Sequence, residues 1–170
     1  ESAKKTAESF VDSTPSGTKI SIISFSGNSF IEQSITGDKS LIKSALNKIT
    51  LSSIGGTDLY EAVLTGTNLL QGEDARSIIL ISDGKINIGS IEDAINYANA
   101  NDVLVHTIGI GTIEGGQTSY GMSQIDENSL KGLAFNTDGK YFKAENSAEL
   151  EKAFQSIINL KLKKVPFNLS

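Results

Sequence analysis

The run Ser77-Ile78-Ile79-Leu80-Ile81 is too short and too rich in β-branched residues to be anything but a buried strand. Helical patterns flank it on both sides. Asp58 to about Leu70 precedes it, and Ser90 to Asn101, with apolar residues at helical spacing, follows it. A buried strand between two amphipathic helices requires crossover connections, and therefore neighbours that run parallel to it.

The same alternation runs through the rest of the chain. Ala3, Ala7, Phe10 and Val11 mark an opening helix, Thr18 to Phe25 an isoleucine-rich strand, and Ser29 to Ile35 a more polar edge strand. Leu41, Ile42, Ala45, Leu46 and Ile49 form the stripe of another helix. Val103 to Ile108 reads as a strand, Gly109 to Gln124 as a long glycine-rich loop, Asp126 to Ala134 as a short helix, and Lys140 to Lys143 as a last strand. Leu150, Ala153, Phe154, Ile157 and Ile158 mark the closing helix. The expected architecture is a doubly wound, mostly parallel α/β sheet with helices on both faces. Ligands of such sheets bind at the carboxyl ends of the strands.

Composition narrows the function. Fifteen basic residues against 20 acidic ones give a net charge of −5, and no basic stripe appears before the last dozen residues, which argues against nucleic acid. Cysteine is absent, so thiol catalysis, thiolate metal sites and disulfides are all excluded. One histidine, His106, sits inside a strand beside no other candidate ligand and reads as a core or interface residue. No nucleophile, base and orienting group can be assembled, so an enzyme is not expected. Gly109-Ile110-Gly111 is a fragment of a dinucleotide fingerprint without its third glycine or following helix.

Two loops carry chemistry. Ser52-Ser53-Ile54-Gly55-Gly56-Thr57-Asp58-Leu59 opens one helix, and Ile79-Leu80-Ile81-Ser82-Asp83-Gly84 ends the most apolar strand. Together they resemble the von Willebrand factor A family, in which the Gly-Gly-Thr loop and the strand-end Asp-Gly supply two parts of a metal ion-dependent adhesion site. The resemblance implies that Thr57 and Asp83 are metal positions. Ser24-Phe25-Ser26, Ile108-Gly109-Ile110-Gly111 and Asp126-Glu127-Asn128-Ser129-Leu130 also fall where the family has similar segments. Magnesium, or manganese on the same oxygens, suits hydroxyl and carboxylate ligands. A protein partner offering a carboxylate can complete the shell. Local roles stand beside this reading: Thr57 or Asp58 can cap the helix, Asp58 and Glu61 having capping-box spacing, and Asp83-Gly84 can be a turn.

The family's Asp-x-Ser-x-Ser loop, which follows a first strand in the middle of the sheet, has no counterpart here. Asp12-Ser13-Thr14-Pro15-Ser16 reads Asp-x-Thr-x-Ser but follows a helix and precedes a strand, the wrong end of the sheet, and is expected to be a helix stop. Both ends of the chain read as truncations. An open place is therefore expected between Thr18–Phe25 and Ser77–Ser82, or else direct pairing of the two. Lys161 to Ser170, with Lys163, Lys164 and Pro166, is a poor central strand.

Residues 1–160 are thus expected to form the domain and 161–170 a basic tail. That tail resembles the juxtamembrane segment of membrane-anchored, aerotolerance-operon members of the family, which implies a membrane-associated or extracytoplasmic setting, an anchor beyond the C-terminus and an AAA-type ATPase system. The alternatives are a metal-independent scaffold domain of a membrane-associated complex and a Rossmann-type nucleotide enzyme.

Overall fold

The computed structural model describes residues 2–25, 27–49, 58–82, 89–110 and 124–164. In chain order the elements are α1 (Ser2–Ser13), β1 (Ile20–Phe25), β2 (Ser29–Thr36), α2 (Lys39–Lys48), α3 (Leu59–Leu69), β3 (Ser77–Ser82), α4 (Ile91–Ala100), β4 (Leu104–Ile110), α5 (Gln124–Phe135), β5 (Tyr141–Ala144) and α6 (Ser147–Lys164). Local chemistry sets the helix starts. Asp38, Asp58 and Ser90 each adopt extended backbone and accept the orphan N–H groups of α2, α3 and α4 through their side chains.

β3, β4 and β5 pair in parallel, from Ser77 opposite Leu104 to Ser82 opposite Gly109, and from Thr107 opposite Tyr141 to Ile110 opposite Ala144. Side chains alternate between two cores, as period-2 geometry requires. Ile78, Leu80 and Val105 face a cluster with Leu59 and Val63 of α3, Ala94 and Ala98 of α4, and Leu130 and Leu133 of α5. Ile79, Ile81 and Ile108 face the opposite cluster, built on Leu150, Ala153, Phe154 and Ile157 of α6 and joined by Ala7 and Phe10 of α1. The sheet is covered on both faces, as expected of a doubly wound α/β domain.

β1 and β2 form a separate antiparallel pair running from Ile20 opposite Thr36 to Phe25 opposite Ser29. β1 and β3 share no hydrogen bond, and no Cα of one lies within 8 Å of the other. Paired strands lie about 4.8 Å apart, so direct pairing is excluded. Helices nevertheless bridge the two sheets. On one face, a methyl carbon placed on Gly66 of α3 would lie 2.9 Å from Ile78 Cδ1 of β3 and 3.7 Å from Ile23 Cδ1 of β1. On the other, α1 packs on both α2 and α6, with the Phe10 and Phe154 rings 4.6 Å apart. Among the described residues no strand lies between β1 and β3. The open edge shows in the burial: no residue of Ile20–Phe25 is fully buried, whereas the five central residues of β4 all are.

The amino ends of the strands are closed by polar contacts. Lys19 pairs with Glu73 at 3.4 Å, and Arg76 Nη1 donates to the Asn101 carbonyl at 2.9 Å. The Asp12–Ser16 segment behaves as the expected helix stop. Lys39 Nζ donates to the carbonyls of Asp12 (3.2 Å) and Thr14 (2.9 Å), and Lys43 pairs with the Asp12 carboxylate at 3.0 Å.

Boundaries differ from the sequence reading in two places. β4 continues through Ile110, so Gly109 is strand and not loop. α6 runs through Lys164, so a division at residue 160 falls inside a helix. Residues 165–170 lie outside the described residues.

At the edge of the parallel sheet, the Tyr141 hydroxyl donates to Glu127 Oε2 of α5 at 3.0 Å, beneath the Lys131 ammonium, 5.6 Å from the ring centroid. Burial pushes this phenol well above its ordinary value, and the hydrogen bond and charge of Glu127 push it further. The folded state therefore keeps a proton that the unfolded chain gives up near pH 10. This contribution to stability is complete below that pH and is lost as pH rises above it. Urea midpoints measured between pH 8 and 11 should fall more steeply for the wild-type chain than for Tyr141→Phe; parallel curves would show that this phenol does not couple to folding.

Candidate binding rim at the carboxyl ends of the strands

Pairing of Ser82 with Gly109, and of Ile110 with Ala144, brings the carboxyl ends of the parallel strands to one rim. The segments leaving that rim are 83–88 after β3 and 111–123 after β4. Segment 50–57 leads into α3, whose first residue, Leu59, packs into the same core as Leu80.

Thr57 and Asp83 both lie outside the described residues. Their immediate neighbours do not. Asp58, one residue after Thr57, caps α3: its Oδ1 accepts the Glu61 N–H at 3.0 Å. Ser82, one residue before Asp83, is the buried end of β3. Gly89, where the chain re-emerges after segment 83–88, lies directly against Asp58; a methyl carbon on Gly89 would sit 2.6 Å from Asp58 Oδ1. The start of α3 and the residue that follows segment 83–88 therefore lie in contact. The capping role considered for Thr57 or Asp58 belongs to Asp58.

Among the described residues, no cluster of three or more His, Cys, Asp or Glu side chains could hold a metal ion. Ser24, from the Ser24-Phe25-Ser26 segment, donates its hydroxyl to Glu32 across the β1–β2 pair; Ser26 lies outside the described residues. His106 has a structural task. It is buried in the middle of β4, and its Nδ1 accepts the Lys140 N–H at 3.1 Å, holding the start of β5. The Gly109-Ile110-Gly111 fragment has no phosphate-loop geometry at its first two positions, which belong to β4; Gly111 lies outside the described residues.

The sequence reading did not anticipate the contact between Asp58 and Gly89. Asp58 was legible as a cap from its spacing to Glu61, but nothing local to Gly89 announces a partner 31 positions upstream.

Comparison with known proteins places this arrangement in a family. Residues 1–156 match the von Willebrand factor type A domain. A UPF0353 protein of Nocardia farcinica is 26% identical over 184 residues, covering 92% of this chain and 55% of its own length. The chain thus spans about half the length of the curated relatives it matches. The solved structure of the conserved hypothetical protein BatB from Bacteroides thetaiotaomicron is similar with a TM-score of 0.79 and 26% identity, covering 95% of this chain and 87% of that one. An aerotolerance-related membrane protein from Bacteroides fragilis shares the fold with a TM-score of 0.74 at 24% identity, covering 93% of this chain and 87% of that one. Match and fold agree, and the chain belongs to the von Willebrand factor type A domain family.

Proposed function

We propose that this domain is a protein-interaction module that docks a partner through a divalent metal, magnesium or manganese, held on the rim by Thr57 and Asp83. The observation that carries the reading is the meeting of Asp58 with Gly89. It brings together the flanks of the two loops that bear a hydroxyl and a carboxylate suited to a hard cation. The metal would supply a positive centre for an acidic side chain of the partner. Thr57 and Asp83 would each contribute one oxygen, which leaves most of the shell to other groups and makes binding by these two alone weak.

Membrane association is proposed on the likeness to the Bacteroides fragilis membrane protein and on the lysines that end α6. An AAA-type ATPase system is proposed as a partner on the sequence resemblance to aerotolerance-operon members of the family alone. Among the described residues no helix is long and apolar enough to cross a membrane.

The test is calorimetric titration of manganese into this chain extended upstream by an apolar strand and an Asp-x-Ser-x-Ser loop. Asp83→Ala is expected to lower affinity by about 10- to 100-fold or more, since even loss of a partner that merely orients a ligand has that effect. No uptake at millimolar manganese, or an unchanged affinity in the variant, would leave a metal-independent scaffold as the reading.

A further inference from the structure

One rung at the edge of the parallel sheet is closed by a side chain and not by a carbonyl. The register between β4 and β5 begins at Thr107 opposite Tyr141. Ahead of it, the connection from α5 to β5 is held to β4 by two side chains: Thr137 Oγ1 accepts the Val105 N–H at 3.1 Å, and His106 Nδ1 accepts the Lys140 N–H at 3.1 Å. Because Nδ1 accepts, it carries no proton, so the ring is neutral with its proton on Nε2. A proton added at Nδ1 would turn the acceptor into a second donor facing the Lys140 N–H, and the rung would be lost.

The place of the ring decides whether it can take that proton while β5 stays paired. Val105 and Thr107 project towards α5, so His106 projects with Ile108 to the opposite face, and it is buried there. That face is apolar: Ile79 stands opposite His106 on β3, α6 supplies Phe154 and Ile157, and α1 supplies Ala7 and Phe10. The charged residues of the surrounding elements are few. β5 has Lys140 and the turn before it Asp138, both exposed. Arg76, ahead of β3, donates to the Glu73 and Asn101 carbonyls. On α6, Lys161 follows Ile157 by helical spacing. On α1, Lys4 donates to the Asn47 carbonyl and Asp12 pairs with Lys43, beside exposed Lys5 and half-buried Glu8. An imidazolium formed in this setting would give up water for an apolar face and lose its backbone partner together.

We propose that His106 is an acid-sensitive latch on β5, which on taking up a proton releases the Lys140 N–H and lets the start of β5 part from β4. β5 has only four residues and, among the described residues, pairs with β4 alone, so one rung is a large share of what holds it. Parting bares the edge of β4 beside buried Val105 and Ile108, an unpaired apolar edge of the kind that invites another strand. The closed form keeps the ring neutral, whereas the opened form exposes an imidazole that takes a proton near pH 6.5. The latch is therefore at full strength above that pH and weakens as pH falls through it, opening being favoured about tenfold more at pH 5.5 than at pH 7.5.

Amide hydrogen exchange of the 170-residue chain tests this, read as protection factors so that the intrinsic pH dependence of exchange is removed. Between pH 7.5 and 5.5 the protection of the Lys140 and Thr107 amides should fall about tenfold, while that of Ala98 in α4 and Leu133 in α5 holds. His106→Asn places an amide oxygen near the position of Nδ1, keeping an acceptor that does not titrate, and its Lys140 protection should not change over the same range. An equal fall in the variant, a fall shared by Ala98 and Leu133, or constant protection of Lys140 in the wild-type chain would each overturn the latch. If His106→Asn does not fold, the ring nitrogens of the wild-type chain decide: nitrogen chemical shifts at pH 7.5 that place the proton on Nε2, together with the local loss of protection, support the latch, and a proton on Nδ1 refutes it.

Discussion

An apolar β-strand supplied to the space between β1 and β3 is expected to raise the melting temperature of this chain by roughly 6–12 °C. The edges of β1 and β3 that face each other are not hydrogen-bonded to one another, and the side chains beside them are apolar: Ile22 and Ile23 on one side, Ile78 to Ile81 on the other. Each unpaired buried backbone group costs on the order of 1–3 kcal/mol. Ordering the incoming strand costs about 1–2 kcal/mol per residue, which offsets much of that gain. A net of about 3 kcal/mol corresponds to the stated shift in a domain of this size. The strand can be appended ahead of α1 through a short loop, and a control strand with lysine at alternate positions should give no gain, because one of its faces would bury charge. Equal melting temperatures for the apolar and control versions would mean that β1 and β3 already pair in solution.

Gly139→Ala is expected to destabilise the domain by about 3 kcal/mol or more, within the range seen when a core position is overpacked. A Cβ at this position would overlap the Val105 carbonyl oxygen and lie 2.5 Å from its carbon and 3.1 Å from the His106 nitrogen. These are backbone atoms of β4, which is paired on both sides, so they cannot step aside. The same approach lets the Lys140 N–H reach His106 and the Thr107 N–H reach the Lys140 carbonyl at 3.0 Å. Gly132 in α5 provides the control. Its nearest neighbour is Asn136 Nδ2 at 4.0 Å, so Gly132→Ala should be neutral or stabilising by up to about 1 kcal/mol. Chemical denaturation of the two variants checks both signs, and a Gly139→Ala midpoint equal to wild type would contradict the close approach.

The parts of this fold that local chemistry determines were legible in the sequence. The apolar run at 77–81 could only be a buried strand, Asp58 could be named as a cap, and Pro15 marked the stop of α1. The family resemblance, carried by Gly55-Gly56-Thr57 and Asp83-Gly84, placed the open position between the strands now seen as β1 and β3. What the sequence hid is non-local. Gly139 looks like any glycine after a helix, and only the backbone of β4 makes it irreplaceable. His106 was recognisable as a core residue, but its role in holding β5 depends on a backbone amide 34 positions away. The lysines at 161, 163 and 164 read as a basic tail because composition alone does not distinguish a tail from the end of a helix. For Thr57 and Asp83 themselves, only their neighbours Asp58, Ser82 and Gly89 speak.

Those neighbours allow the most direct test of the central claim, that the rim at the carboxyl ends of the strands is where a metal-dependent partner docks. Manganese broadens the amide signals of nearby residues in nuclear magnetic resonance spectra, and the pattern locates the ion. With the strand and Asp-x-Ser-x-Ser loop supplied, the amides of Asp58, Leu59, Ser82 and Gly89 are expected to broaden first. Those of Thr14, Lys19, Glu73 and Asn101, at or near the opposite end of the sheet, should keep their intensity. Broadening centred on the second group, or none at millimolar manganese, would contradict the account.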